Sequence, residues 1–160
     1  MGLFVNESYD TVMRHVDQCK LTAVQLHGQE PPDMIARLVG QNLRVVKALF
    51  QNREPQFAAA STFAANGYLL ECGKGRLPGG NAETWDWHAA ANVIRNHPVI
   101  LAGGLDPLNV AAAIKAANPD AVDVSSGVES KPGVKDRDKI RLFVEAVRAV
   151  DIPPPLRRIF

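Results

Sequence analysis

The chain has 160 residues, 46% hydrophobic and 22% charged, with eighteen Lys and Arg against seventeen Asp and Glu for a net charge of +1. This length and balance fit one folded domain with its own core, and they exclude both a disordered chain and a basic surface built for nucleic acid. The two cysteines, Cys19 and Cys72, have no CxxC spacing, so neither a disulfide scaffold nor a zinc site is expected.

A strand is expected at Leu3-Phe4-Val5, followed by a helix from Ser8 to Lys20 whose apolar stripe is Val12, Met13, Val16 and Cys19. Ala23 to Leu26 reads as the second strand and Pro32 to Leu38 as a weaker helix. Val45 to Ala48 is the third strand, with a weak helix over Gln56 to Ala65. Tyr68-Leu69-Leu70 is the fourth, with another weak helix over Asp86 to Arg95. The fifth strand is Val99 to Ala102. After it Asp106 is read as an N-cap, with Pro107 at the first helical position and an end near Asn118-Pro119. Ala121 to Val124 is the sixth strand, and Asp136 to Val150 is a helix with Ile140, Phe143, Val144 and Val147 on one face. Residues 1–150 are thus one domain. Residues 151–160 form a proline-rich tail, extended because Pro153-Pro154-Pro155 cannot continue a helix. No apolar run reaches membrane-spanning length and the N-terminus lacks a signal-like pattern, so a soluble cytoplasmic protein without membrane partners is expected.

Strict alternation of strand and helix means α/β with a parallel sheet. A doubly wound sheet usually places a glycine-rich turn after its first strand, and Val5-Asn6-Glu7-Ser8 has none. The glycine-rich turns instead follow the last three strands, at Gly73 to Gly80, Gly103-Gly104 and Gly127. Phosphate loops after the final two strands are a habit of (β/α)8 barrels. Eight units make such a barrel, and about six are present here.

Several segments occur in a telling order: Val24-Gln25-Leu26-His27-Gly28, Val46-Lys47-Ala48, Pro78-Gly79-Gly80-Asn81 with Trp85-Asp86-Trp87, Ile100 to Val110, and Val122 to Asp136. The series closely resembles the phosphoribosylanthranilate isomerase family of tryptophan biosynthesis, from about Gly2 to about Ala149. The resemblance implies a (β/α)8 barrel of truncated type, entered at the third strand. It implies an Amadori rearrangement of a small phosphosugar substrate, with no metal and no organic cofactor. In the family a general acid opens the ribose ring and a general base removes the C2′ proton. The base is the cysteine of a Lys-x-Cys-Gly segment, and an arginine of the next unit lies near the anthranilate carboxylate. Neither segment occurs in this sequence. Glu71 stands where the family has its aspartate acid, and carries the carboxyl about one methylene further out.

The resemblance makes Glu71 the catalytic candidate. Cys72 should face away from it, because strand neighbours point to opposite faces. Gly103, Gly104, Ser125, Ser126 and Gly127 are the phosphate-binding candidates, with backbone N–H groups free to approach an anion and a short helix N-terminus expected after Gly127. Gln25 and His27 share a face of one strand, Asp123 alternates with Ser125, and all three are candidates for substrate contact. Lys47 in an apolar strand calls for a carboxylate partner inside the barrel. Trp85 and Trp87 are read as helix-on-sheet packing, Cys19 as a small core residue, and His15, His88 and His97 as helix or loop residues. The outer edges of the Gly2–Asn6 and Ala121–Ser125 strands are expected to favour self-association and to leave the chain less stable than a complete barrel. The alternative reading is a non-catalytic phosphate-binding relic or interaction module of the same fold.

Overall fold

The computed structural model describes residues 1–73, 85–152 and 156–160. Its chain runs β1 (Gly2–Phe4), α1 (Tyr9–Cys19), β2 (Ala23–Leu26), α2 (Pro32–Val39), β3 (Arg44–Phe50), β4 (Gly67–Glu71), α3 (Ala91–Asn96), β5 (Val99–Leu101), α4 (Val110–Ala117), β6 (Ala121–Val122), β7 (Glu129–Lys131), β8 (Val134–Lys135) and α5 (Arg137–Arg148). Strands β1 to β6 form one six-stranded sheet in sequence order, and every neighbouring pair is parallel. This is the barrel-type α/β arrangement expected. Among the described residues β1 and β6 do not pair with each other, so the sheet is open.

The inner strands β2 to β5 are buried on both faces, which is why they read as nearly continuous apolar runs. Along β3, Val45 and Leu49 face the helices, whereas Val46, Ala48 and Phe50 face the concave side with Leu69, Ile100 and Ala102. Five positions of β4 are buried, ending in Glu71. The alternation turns Glu71 inward with Leu69, and Cys72 lies in the helix-facing core with Leu70.

Ser8 caps α1 by accepting from the Thr11 N–H, and Lys20 ends the helix in the left-handed region. Val12 and Val16 are buried as the stripe requires, but Cys19 is exposed. Leu21, just past the helix end, packs on that core in its place. The helix placed from Pro107 starts at Val110, because Asp106 first closes a turn by accepting from the Leu108 and Asn109 N–H groups. Gln56 to Ala65 is not α-helical. A 3-10 helix covers Phe57–Thr62, and its carbonyls at Ala60 and nearby Phe63 accept from the Tyr68 hydroxyl. A second 3-10 turn, Trp87–Ala90, leads into α3. Asp136 caps α5, which buries Phe143.

The residues from Lys74 to Gly80, the Pro78-Gly79-Gly80-Asn81 segment and the three prolines of the tail lie outside the described residues. Within the tail, Arg157 forms a two-pronged pair with Asp120, and Ile159 is buried in the concave core against the start of β4. No helix among the described residues is long and apolar enough to cross a membrane.

Candidate active site

A parallel sheet collects the C-terminal ends of its strands on one rim, and here that rim holds a pocket of about 210 Å³. Gln25, His27, Glu71, Gly103, Gly104, Asp123, Ser125, Ser126 and Gly127 all line it, so each site residue named from the sequence falls in one place. Leu3, Ala102, Leu105 and Val124 complete the wall.

One side of the pocket is a hydrogen-bonded chain. The Gln25 amide N–H donates to His27 Nδ1 at 3.1 Å, so Nδ1 is an acceptor. The proton of a neutral ring is then on Nε2, which donates to Glu71 Oε1 at 3.3 Å. All three side chains are buried. Glu71 is therefore not a solvated strand-end carboxylate but a held one.

The other side is backbone. Gly103 and Gly104 both have positive φ. A Cβ on Gly103 would stand 3.1 Å from Glu71 Cβ, so this loop passes directly against the carboxyl-bearing residue. A Cβ on Gly127 would stand 1.9 Å from the Leu105 carbonyl oxygen, so the loops after β5 and β6 touch at a point where a side chain does not fit. The helix N-terminus expected after Gly127 is absent. A 3-10 turn over Ser126–Val128 leads instead into the β7–β8 hairpin. Lys135 of that hairpin donates to the Ser125 carbonyl and to Glu129, fixing the loop from behind. Trp85 is a packing residue as read, and its indole N–H donates to the Ala102 carbonyl just before Gly103.

Asp123 is open to solvent, yet the pocket walls raise its carboxyl above the ordinary 3.8, chiefly by desolvation. Glu71 adds to the rise, and His27 and Lys135 oppose it.

The sequence missed two supporting groups. Lys47 does have its carboxylate, Glu30, with Nζ donating to Oε2 at 2.9 Å, but on the helix-facing side rather than inside the barrel. Lys47 has the parity of Val45 and Leu49, which decides its face. Its ammonium sits below the usual 10.5 because burial outweighs the attraction of Glu30. Glu30 also accepts from the Asn6 and Gly28 N–H groups, tying the β1 and β2 loops beneath His27. Arg53, after β3, places Nη2 3.8 Å from Glu71 Oε1. Both lie in loops, where no periodicity marks a residue.

A family model described as N-(5'phosphoribosyl)anthranilate (PRA) isomerase matches residues 1–146. The chain belongs to the phosphoribosylanthranilate isomerase family. A relative named N-(5'-phosphoribosyl)anthranilate isomerase from Desulfatibacillum aliphaticivorans is 44% identical over 160 residues, covering 100% of this chain and 73% of the relative. One of the same name from Geobacter sp. (strain M21) is 45% identical over 145 residues, 90% of this chain and 69% of its own length. The crystal structure of the isomerase from Thermotoga maritima superposes with a TM-score of 0.80 at 34% identity, over 93% of this chain and 72% of that one. A family structure in complex with reduced 1-(o-carboxyphenylamino)-1-deoxyribulose 5-phosphate superposes with a TM-score of 0.76 at 33% identity, over 93% of this chain and 71% of that one.

Proposed function

We propose that this chain carries the isomerase chemistry of its family in the cytoplasm: N-(5-phosphoribosyl)anthranilate is rearranged to 1-(2-carboxyphenylamino)-1-deoxyribulose 5-phosphate. The observation that carries the proposal is the abutment of the Gly103 loop on Glu71. A ribose 5-phosphate anchored by the amides of Gly103, Gly104, Ser126 and Gly127 has its ring directed at the Glu71 carboxyl. Gln25 and His27 hold that carboxyl, and Asp123 faces the sugar hydroxyls.

Glu71 gives its proton to the ring oxygen. The electron pair of the C1′–O bond goes to that oxygen and makes a hydroxyl. The anthranilate nitrogen lone pair forms the C1′=N bond, and Glu71 is left as a carboxylate. Loss of the C2′ proton to a water molecule then neutralises the iminium and gives the enaminol, which tautomerises to the ketose. No cofactor is assigned.

One observation favours a second reading, a phosphate-binding module without turnover. Cys19 is exposed on α1 and Cys72 is packed against the helices, so neither cysteine reaches the pocket. A single assay separates the two readings. Anthranilate fluorescence is lost as the substrate rearranges, and Glu71→Ala is expected to slow that loss about 100-fold or more. No turnover above background in either protein, while inorganic phosphate still binds, rules for the module; equal turnover in both removes Glu71 as the acid.

Self-association through the outer edges of β1 and β6, unpaired among the described residues, is part of the proposal. Sedimentation at rising concentration tests it, and a single concentration-independent species counts against it.

A further inference from the structure

Arg53 has a fixed root. The Gln51 N–H donates to the Glu71 carbonyl at 3.0 Å, the Asn52 N–H to the Cys72 carbonyl at 3.1 Å, and the Phe50 N–H to the Pro55 carbonyl at 2.9 Å. The loop that carries Arg53 is thus sewn to the end of β4. Its guanidinium stacks on the Phe50 ring, 3.7 Å from the centroid, and that ring meets His27 edge-on at 5.5 Å.

Two of its nitrogens are out of balance. Nε and Nη2 are shut off from solvent, and among the described residues no acceptor lies within hydrogen-bonding distance of either. Buried charged donors left open are costly. The carboxyl group facing them is that of Glu71: Nη2 lies 3.8 Å from Oε1, the same oxygen that accepts from His27. A movement of about 1 Å turns that separation into a hydrogen bond. Because Nε and Nη2 face protein rather than solvent, a substrate entering the pocket does not reach them.

We propose that Arg53 is a positioning residue for Glu71, which passes from His27 to the side-on Nε–H and Nη2–H pair of Arg53 once it has given up its proton. This rests on the isomerase reading above. The neutral carboxyl, held by His27, points at the ring oxygen. The carboxylate left behind finds two parallel donors in a fork that matches its two oxygens. Negative charge that develops on Glu71 as the ring opens is therefore met by a group already in place. The ionisable groups facing Glu71 are His27 from β2, Arg53 from the loop after β3 and Asp123 after β6.

The test uses the full chain with Arg53→Met and Arg53→Lys. Arg53→Met is expected to lower kcat about tenfold or more. KM, and the affinity for reduced 1-(o-carboxyphenylamino)-1-deoxyribulose 5-phosphate by calorimetry, stay within about twofold. Arg53→Lys recovers part of kcat. A kcat unchanged in Arg53→Met overturns the proposal. So does a loss of analogue affinity equal to the loss of rate, which makes Arg53 a ligand anchor. A second readout needs no turnover. In Arg53→Met the NMR resonance of His27 Nε2 shifts, since Glu71 then pairs with His27 alone, and this shift shrinks by more than half in a Glu71→Gln background. If the parent chain rearranges nothing but the His27 shift appears, the isomerase reading falls and the Glu71–Arg53 coupling stands. If the His27 Nε2 resonance stays put, the coupling falls whatever the activity.

Discussion

Asp123 shows how a pocket taxes stability at a single residue. Its carboxyl is raised above the ordinary 3.8 because the surrounding walls desolvate the charged form. The folded protein therefore holds this proton more tightly than the unfolded chain does. Stability falls as pH rises through the window between 3.8 and the folded value, and the penalty is complete above it. Asp123→Asn removes the charge and keeps the shape. The variant is expected to melt higher than the parent at pH 7, with the gap closing as pH falls toward 3.8. Thermal melts across that range check it, and a gap independent of pH contradicts the desolvation. Because the group is open to solvent, the effect is small. At this scale the sequence is readable where a strand period exists. Alternation put Gln25 and His27 on one face and turned Cys72 away from Glu71, while the family resemblance placed Glu71 with them. Glu30 and Arg53 could not, since their positions depend on how loops from different strands meet.

At the scale of elements, the loops after β5 and β6 are the unit that matters. Gly103-Gly104 after Val99–Ala102 and Gly127 after Ala121–Val124 marked them in the sequence. Hidden there was the hairpin that follows. Glu129 to Lys135 has no alternating apolar pattern, and only Pro132-Gly133 signals its turn. The antiparallel pair forms because Lys135 and Lys139 have acceptors at Ser125 and Glu129, contacts set by tertiary position. The interlock of the two loops gives a sharp test at Gly127. A Cβ there would meet the Leu105 carbonyl at 1.9 Å and the Asp106 Cα at 3.1 Å, both backbone atoms that cannot swing aside. Gly127→Ala must therefore push the loops apart. If their amides hold phosphate together, the affinity for inorganic phosphate falls about tenfold or more, about 1.4 kcal/mol. Calorimetric titration measures this, and unchanged affinity places the phosphate elsewhere.

Across the whole molecule, the pocket and the tail's anchor sit at opposite ends of the sheet. The pocket occupies the C-terminal rim, whereas the described part of the tail is fastened at the N-terminal ends of the strands. Asp120, before β6, accepts from the Arg157 backbone N–H at 2.7 Å and from its side chain at 3.0 and 2.7 Å, as well as from the Val99 N–H at 2.8 Å. Ile159 lies 5% exposed among Val46, Leu69 and Ile100. The tail thus plugs the concave side from below, a placement that proline content alone does not reveal. Deleting a buried isoleucine side chain commonly costs about 2–5 kcal/mol. Here the loss has a ceiling, because a weakened tail can detach, and no substitution costs more than its docking free energy. Ile159→Ala is expected near the lower end, about 2 kcal/mol by urea unfolding. Arg157→Ala should then add little on top of it, since both side chains serve one docking event. Phosphate affinity should be unchanged in both, because the rim is built by other elements. Fully additive losses contradict a tail that docks as a unit, and a loss of phosphate binding contradicts the separation of the two ends.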